Sequence, residues 1–354
     1  MKSKIENRKP VVSKVEPSKI NVVFMGTPGI AAIILESLFT AFREDKQLLD
    51  QGFEIKAVFT RPDKPRGRNK KLAKSEVKLL SEIKNLPVRQ PKNKDELAKE
   101  AAKLKPDLIV VAAYGMILPK EVLDVPKYGA INVHPSLLPL YRGPAPISAP
   151  ILNGDKKTGV TIIKMDARMD EGDILAQEEV ELSGHETTPE LTERLAELAG
   201  KILADAIPRY VNGEINSQKQ DRTKATYTKM IKKEDGKIDF ASETAEEIER
   251  KSRAFLPWPG VYMYWNDKKL DFYEIGVISQ RSDSAKRTDL KDTPRSVLGR
   301  NQKPGLVQKS DNGFAIGTKK GAITSKYVKL EGKNKIPASD FLHGYPDFIE
   351  SKLN

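Results

Sequence analysis

The sequence predicts an α/β domain built on a doubly wound parallel sheet, followed by a small β-barrel. Three observations predict it. Apolar strands alternate with amphipathic helices over the first two thirds of the chain. A polar stretch without apolar periodicity then interrupts the pattern. Beyond it, short alternating runs separated by Gly and Lys-Lys turns replace the alternation of strand and helix. At 354 residues the chain is also too long for one ordinary core.

The elements follow in order. Ile20–Gly26 (INVVFMG) is an apolar, β-branched run ending at Gly, as a buried first strand requires. Residues 28–43 carry Ile30, Ile33, Ile34, Leu38 and Phe42 at helical spacing. Residues 54–60 read as a second strand. Residues 75–84 read as a helix with Ser75 as N-cap and with Lys78 and Lys84 facing outward. A helix at 93–103, a fully apolar strand at 108–113 (LIVVAA) and a strand at 129–134 come next, and strands at 158–164 and 175–182 extend the sheet. Residues 188–211 form a long helix with Leu191, Leu195, Leu198, Ile202 and Ile207 on its apolar side. Residues 212–222 (NGEINSQKQDR) are the expected linker. After it come a helix at 244–255 and strands at 261–265, 270–277, 305–308, 314–318 and 322–327. The expected domains are therefore a tail at 1–19, a first domain at 20–211 and a second at 223–354.

Composition narrows the chemistry. No stretch approaches the roughly 20 apolar residues that span a bilayer, and no membrane association is expected. There is no Cys, so disulfides, a thiol nucleophile and thiolate metal sites are excluded. Three His (His134, His185, His343) argue against a multi-histidine centre, and no metal is expected. The net charge is +12, and it is unevenly placed. Residues 61–74 hold seven basic residues against Asp63 alone. Residues 223–354 hold 25 basic and 18 acidic residues. Such clustering suits a polyanion gripped at discrete places. The tail, with six basic residues and Glu6 and Glu16, lacks a signal-peptide core and reads as a disordered extension.

The first strand–helix turn, Gly26-Thr27-Pro28-Gly29, lacks the three-glycine spacing that lets backbone approach a pyrophosphate. No G-x-x-x-x-G-K-[ST] occurs either. Neither NAD nor ATP is expected, and the turn reads as a packing feature.

The chemistry-bearing residues gather at one strand end. Asn132 and His134 are two apart on the 129–134 strand and so share a face, at the carboxyl end where open α/β sheets keep ligands. An amide donor beside an imidazole can bind a developing oxyanion and handle a proton; a strand-end His also serves often as a hydrogen-bonded structural residue. Pro135-Ser136-Leu137-Leu138-Pro139 and Tyr141-Arg142-Gly143-Pro144-Ala145-Pro146 follow, a proline-stiffened loop suited to binding. Residues 165–173 (MDARMDEGD) place three Asp beside one Gly, where one carboxylate can orient the imidazole or a water.

These segments resemble the methionyl-tRNA formyltransferase family. The match runs through VVFMGTP, AVFTRPDKPRGRNKKL, VVAAYGMILP, INVHPSLLPLYRGPAPI, TGVTIIKMDARMDEGDIL, RAFLPWPG and KLEGKNKIPASDFL, in family order from about Ile20 to about Gly344. The resemblance implies a Rossmann-like formyltransferase domain plus a C-terminal OB-like tRNA-binding domain. It implies transfer of a formyl group from 10-formyltetrahydrofolate to the α-amino group of methionyl-initiator tRNA, for translation initiation. It places the catalytic residues at Asn132, His134 and Asp170, the folate-binding segment at Ser136, Leu137, Leu138 and Pro139, and the pterin-pocket loop at Tyr114, Gly115, Met116, Ile117 and Leu118. The tRNA acceptor end falls to Arg61, Lys64, Arg66, Arg68, Lys70 and Lys71, with Arg68 the family's conspicuous arginine. Asp170 is expected to hold the His tautomer and an ordered water. Met169 and Glu171 stand where the family commonly has Leu and Thr, and Arg66 adds a charge to the basic loop. Pro62, Pro65 and Gly67 break regular structure there, so the loop is expected to be mobile before tRNA arrives.

The enzyme is expected to be a cytoplasmic monomer. The alternatives are an amino-sugar-nucleotide formyltransferase on the same scaffold, which has no need of a +6 loop, and a non-catalytic RNA-binding relative, against which the intact Asn132, His134 and Asp170 argue. Most of the aromatics Phe255, Trp258, Tyr264 and Trp265 are expected in the core, some of them free to stack on bases. His185 and His343 read as surface residues.

Overall fold

The computed structural model describes residues 19–66, 71–278, 303–311 and 313–353. Tail residues 1–18 and the side chains of Arg66, Arg68, Lys70 and Lys71 lie outside what it describes. The chain forms two compact units: residues up to 132 with 203–216, and 133–202 with 217–354.

The first unit is a parallel α/β layer. Its strands are β1 (Ile20–Gly26), β2 (Phe53–Phe59), β5 (Val88–Arg89), β6 (Leu108–Ala112) and β7 (Ala130–His134), whose last two residues belong to the second unit. They lie in the order β5-β2-β1-β6-β7, and each neighbouring pair is parallel. Central β6 is buried at all five positions, as a strand covered on both faces must be. Helix α1 (Gly29–Glu44) buries Ile34, Leu38 and Phe42 as read from the sequence, with Ala31 and Leu35 in place of Ile30 and Ile33, which are only half-buried. Each such large side chain contributes about 1.5–3 kcal/mol on burial. At Gly26 a Cβ would stand 2.6 Å from the Ala31 Cβ and 3.0 Å from the Ala112 carbonyl oxygen. The glycine is therefore where the strand passes closest to the helix that follows it.

The unit also holds α2 (Lys46–Asp50), α3 (Glu76–Ile83), α4 (Lys94–Leu104) and α5 (Lys120–Leu123). Ser75 caps α3 by accepting from the Lys78 N–H. The expectation that Lys78 points outward is corrected. Its ammonium donates to Asp63 at 2.7 Å and Gln90 at 2.8 Å. A half-buried acceptor pair overrides the helix-surface position, while the aliphatic stem lies along the protein. Lys84 instead pairs with Glu36. Within the basic loop, β3 (Lys64–Arg66) and β4 (Lys71–Ala73) pair antiparallel, Lys64 opposite Ala73. Of the prolines read as breakers, Pro62 precedes this short ladder and Pro65 stands within it, opposite Leu72, and the sequence pattern did not foretell it.

The second unit contains α6 (Ser148–Asn153) and an antiparallel pair, β8 (Lys157–Lys164) with β9 (Ile174–Glu181), irregular at Ile162/Ile163. Its C-terminal part is an antiparallel β domain ordered β10 (Val261–Trp265), β11 (Lys268–Ile278), β14 (Ala322–Leu330), β13 (Gly313–Gly317), β12 (Val307–Ser310), with β15 (Ile336–Pro337) against β14. Helix α8 (Ala245–Ala254) starts in a Thr244–Glu247 capping box. Helix α9 (Ala338–Gly344), absent from the sequence reading, packs Phe341 into the core. Trp265 meets Phe341 and Phe348 edge-on, with centroids 5.9 and 5.2 Å apart. Phe255 and Trp265 are buried as expected, whereas Trp258 is 56% exposed and Tyr264 43%. His185 and His343 are exposed. Helix α7 (Thr188–Val211) completes the α-helices among the described residues. No helix among them is long and apolar enough to cross a membrane.

Candidate active site

The pleat of β7 presents Asn132, half-buried, two positions before His134, which is only 4% exposed. The chain then turns back, and the His134 Nε2 lies 3.0 Å from the carbonyl oxygen of Tyr141. A carbonyl only accepts, so Nε2 carries the proton and Nδ1 offers the lone pair. Nδ1 in turn faces Asp170 Oδ1 at 3.7 Å. The tautomer is thus set by the backbone of Tyr141, and Asp170 stands off just beyond direct hydrogen-bond range. Protonation at Nδ1 leaves an imidazolium with an acceptor opposite each N–H.

Two residues of this group adopt left-handed backbone: Tyr141 at φ 61° and Asp170 at φ 54°. Side chains other than Gly rarely adopt this region, and its occupation in a folded protein marks a position held by its surroundings. Asp170 is held by the Gly143 N–H, which donates to its Oδ2 at 2.8 Å. Tyr141 is held through its hydroxyl, which donates to Asp155 and accepts from Asn153. Burial, with the Asp155 carboxylate, pushes that phenol up to about 12.

Burial also pulls His134 below the ordinary imidazole value of 6.5; the Asp170 carboxylate opposes the shift, and the nearby Arg142 cation adds to it. His134 is therefore neutral at pH 7 and ready to accept a proton. The sign follows directly. The neutral form is lost only as pH falls through the lowered value, so the midpoint of a His134 NMR titration should lie below pH 6.5. The fold binds this proton more weakly than the unfolded chain, so stability too declines as pH drops below about 6.5. An NMR titration of the His134 ring checks the first statement, and a midpoint above pH 7 would contradict it.

The segment after His134 is pinned by β8 and β9. The Thr161 hydroxyl donates to Ser136 O at 2.6 Å and accepts from Leu138 N at 3.1 Å, while the Gln177 amide donates to Leu138 O at 2.9 Å. Ser136 and Leu138 are buried, and the Ser136 hydroxyl donates to Leu140 O. Within residues 136–139, Leu137 and Pro139 are partly exposed. The Leu138–Pro139 peptide is cis.

The Tyr114 loop belongs to the first unit. Thr27 Oγ1 donates to Tyr114 O at 2.8 Å and accepts from Arg61 N at 3.3 Å. Tyr114 is buried, its hydroxyl has no hydrogen-bond partner among the described residues, and burial pushes it up to about 12. Gly115 (φ 78°) and Ile117 are exposed, Met116 is half-buried and Leu118 is buried. The root of the basic loop is locked. Gln90 donates to Arg61 O at 2.9 Å and Asp63 Oδ1 at 2.8 Å, the latter closing a triangle with Lys78. These bonds, Lys78 foremost, hold the Asp63 carboxyl below its usual range. Lys64, on β3, is exposed. Among the described residues no group of three or more His, Asp or Glu is arranged to hold a metal ion.

Residues 21–207 match the family described as formyl transferase, and 230–346 match the formyl transferase C-terminal domain. A methionyl-tRNA formyltransferase of Thermotoga neapolitana is 38% identical, covering 92% of this chain and 95% of its own. Those of Citrifermentans bemidjiense and Clostridium novyi are 37% and 36% identical, over 92% and 94% of this chain. The chain belongs to the methionyl-tRNA formyltransferase family. Solved structures share the fold. An N-formyltransferase of Helicobacter canadensis, in complex with folinic acid and dTDP-3-aminofucose, aligns at TM-score 0.59 with 20% identity, over 86% of this chain and 98% of its own. HypX of Aquifex aeolicus with tetrahydrofolic acid aligns at 0.59 with 17% identity, over 94% of this chain, which spans about half of that longer protein (48%).

Sequence reasoning on this family member missed Arg142 and Gln220. Arg142 is 1% exposed and its guanidinium donates twice to Gln220. Its place in the Tyr141-Arg142-Gly143 run was the one signal available; Gln220 had none.

Proposed function

We propose that the chain transfers a formyl group from 10-formyltetrahydrofolate to the α-amino group of methionyl-initiator tRNA. The observation that carries this reading is the His134–Asp170 pair at 3.7 Å, with Nε2 committed to Tyr141 O, in a chain of this family. The amine nitrogen attacks the formyl carbon, and a tetrahedral oxyanion results. Asn132, a neutral donor on the same strand, is assigned to that oxygen. His134 takes the amine proton at Nδ1, and Asp170 stabilises the resulting imidazolium. As the oxyanion collapses, the bond between the formyl carbon and the folate nitrogen breaks, that nitrogen takes up the proton held by His134, and tetrahydrofolate leaves.

Leu137, Pro139 and the Tyr114–Leu118 loop are assigned to the folate, the former through the surface that Ser136 and Leu138 leave exposed. Arg61, Lys64, Arg66, Arg68, Lys70 and Lys71 are assigned to the tRNA acceptor end. We divide the chain into a catalytic domain at 20–211, a linker at 212–222 and a tRNA-binding domain at 223–354. The reading as a sugar-nucleotide formyltransferase is less well supported: the sugar enzyme above is 20% identical, against 36–38% for the three tRNA enzymes.

The deciding experiment offers methionyl-initiator and methionyl-elongator tRNA with the folate donor. Formylation of the initiator species is expected, with kcat/KM falling steeply as salt rises, because phosphate contacts release counterions. Arg68→Ala should raise the KM for tRNA roughly tenfold, the scale of one charge-assisted contact, and leave the KM for folate unchanged. A flat salt response together with an unchanged tRNA KM would refute the assignment of the loop.

A further inference from the structure

Residues 217–228, which the sequence presents as linker and following coil, form a strap laced along the loops that carry His134 and Asp170. At its start Gln218 pairs with Ile174, N–H to carbonyl in both directions at 2.8 Å. At its end it runs parallel to residues 139–145. Thr226 N donates to Pro139 O, Arg142 N to Thr226 O, and Thr228 N to Arg142 O. The Thr226 and Thr228 hydroxyls accept from Tyr141 N at 2.8 Å and Ala145 N at 3.0 Å. Gly143 (φ 107°) lets the two chains approach: a Cβ there would stand 2.9 Å from Thr228 O.

Between these ends Gln220 spends its whole amide. Its Oε1 accepts from Arg142 Nε at 3.1 Å and Nη2 at 2.7 Å. Its Nε2 donates to Asp170 O and Gly172 O, both at 2.8 Å. Arg142 completes its shell with the Tyr227 hydroxyl at 3.2 Å and the Glu171 carboxylate at 3.5 Å. Glu171 also faces Arg168 and Arg222 at 3.1 and 3.5 Å, so the one carboxylate answers three guanidinium groups. A cation this deeply buried is tolerated only with its donors satisfied. The same clasp fixes the main chain of Asp170 on one side while Gly143 N–H fixes its carboxylate on the other.

Resting on the function proposed above, we infer that Arg142 and Gln220 are positioning residues for formyl transfer: their clasp holds Asp170 in its left-handed conformation, with the carboxylate facing His134 Nδ1. Neither touches a reacting atom. Their effect on rate passes through Asp170.

The test uses the full chain and two readouts. In steady-state formylation of methionyl-initiator tRNA, Gln220→Ala should lower kcat at least tenfold with KM values changed less than about threefold. In an Asp170→Asn background the same substitution should cost less than about twofold, since groups acting as one unit are non-additive. An equal fold loss in both backgrounds would overturn the inference. Should Gln220→Ala not fold, Gln220→Glu keeps the acceptor for Arg142, adds a charge that pairs with that guanidinium, and removes the two donors to Asp170 and Gly172; it should lose kcat in the same non-additive way. The second readout needs no substrate. The chain has three histidines, so His134 can be followed by NMR titration. The charged groups around its ring are Asp170, which supports the imidazolium, and Arg142, which opposes it. Asp170→Asn should move the His134 midpoint down, and Gln220→Ala should move it in the same direction. An unmoved midpoint in Gln220→Ala overturns the clasp even if the chain formylates. A shifted midpoint in a chain that formylates no tRNA overturns the function and leaves the clasp standing.

Discussion

His134→Ala is expected to lower kcat for formyl transfer by roughly 10³-fold, the middle of the range for a positioned general base, with both KM values changed only a few-fold. The size follows from what the ring does. Its Nε2 is committed to a backbone carbonyl at 3.0 Å, so a single nitrogen serves proton transfer. No other imidazole is available, because His185 and His343 lie exposed elsewhere on the surface. Asp170→Asn should cost less, since it keeps the shape and an acceptor oxygen while removing the charge that faces Nδ1. Asn132→Ala should fall near 10²–10³, the usual cost of one oxyanion donor. The measurement is steady-state formylation under saturating folate and tRNA, with folding checked by circular dichroism. Near-wild-type turnover in folded His134→Ala would remove the base from the mechanism.

The parts of the molecule that were legible in the sequence are those governed by short-range pattern. Continuous apolar runs identified β1 and β6 because a parallel strand buried on both faces has no polar positions to confuse it. Helical spacing identified α1 and α7, and the Ser75 cap was read correctly. What escaped was set by partners distant in sequence. Lys78 lies on a helix position that faces solvent in any local reading, and only the fold brings Asp63 and Gln90 to it. The strap escaped for the same reason. Residues 212–222 carry no apolar periodicity because this stretch buries little hydrocarbon; Gln218 and Gln220 are held by hydrogen bonds to main chain and to a buried guanidinium. Such bonds leave no periodic trace. Asn132, His134 and Asp170 could be picked out by residue type and by family resemblance. The carbonyl of Tyr141 could not, since main chain has no signature in a sequence.

Gly172→Ala is expected to be the most damaging of the small substitutions, on the order of 3 kcal/mol of stability with most of the activity lost. The reason is steric and local. A Cβ at this position would lie 1.8 Å from the carbonyl oxygen of Lys164 and 2.9 Å from its carbonyl carbon. Both are backbone atoms, so no side chain can swing aside. Lys164 is the last residue of β8, and its N–H is bonded to Asp173 O at 2.9 Å. Making room therefore opens the turn that carries Asp170 two residues earlier and pulls Gly172 O away from Gln220. A loss of strand-end packing and a loss of carboxylate placement come from one methyl group. The control is Gly344→Ala in α9, where nothing lies within 4 Å of the added carbon. That change should be neutral or slightly stabilising, since alanine favours helix over glycine by roughly 1 kcal/mol. Urea unfolding midpoints and kcat are the measurements. A Gly172→Ala chain with the wild-type midpoint and turnover would mean that the turn is looser than its contacts require, and that Asp170 is not held by them.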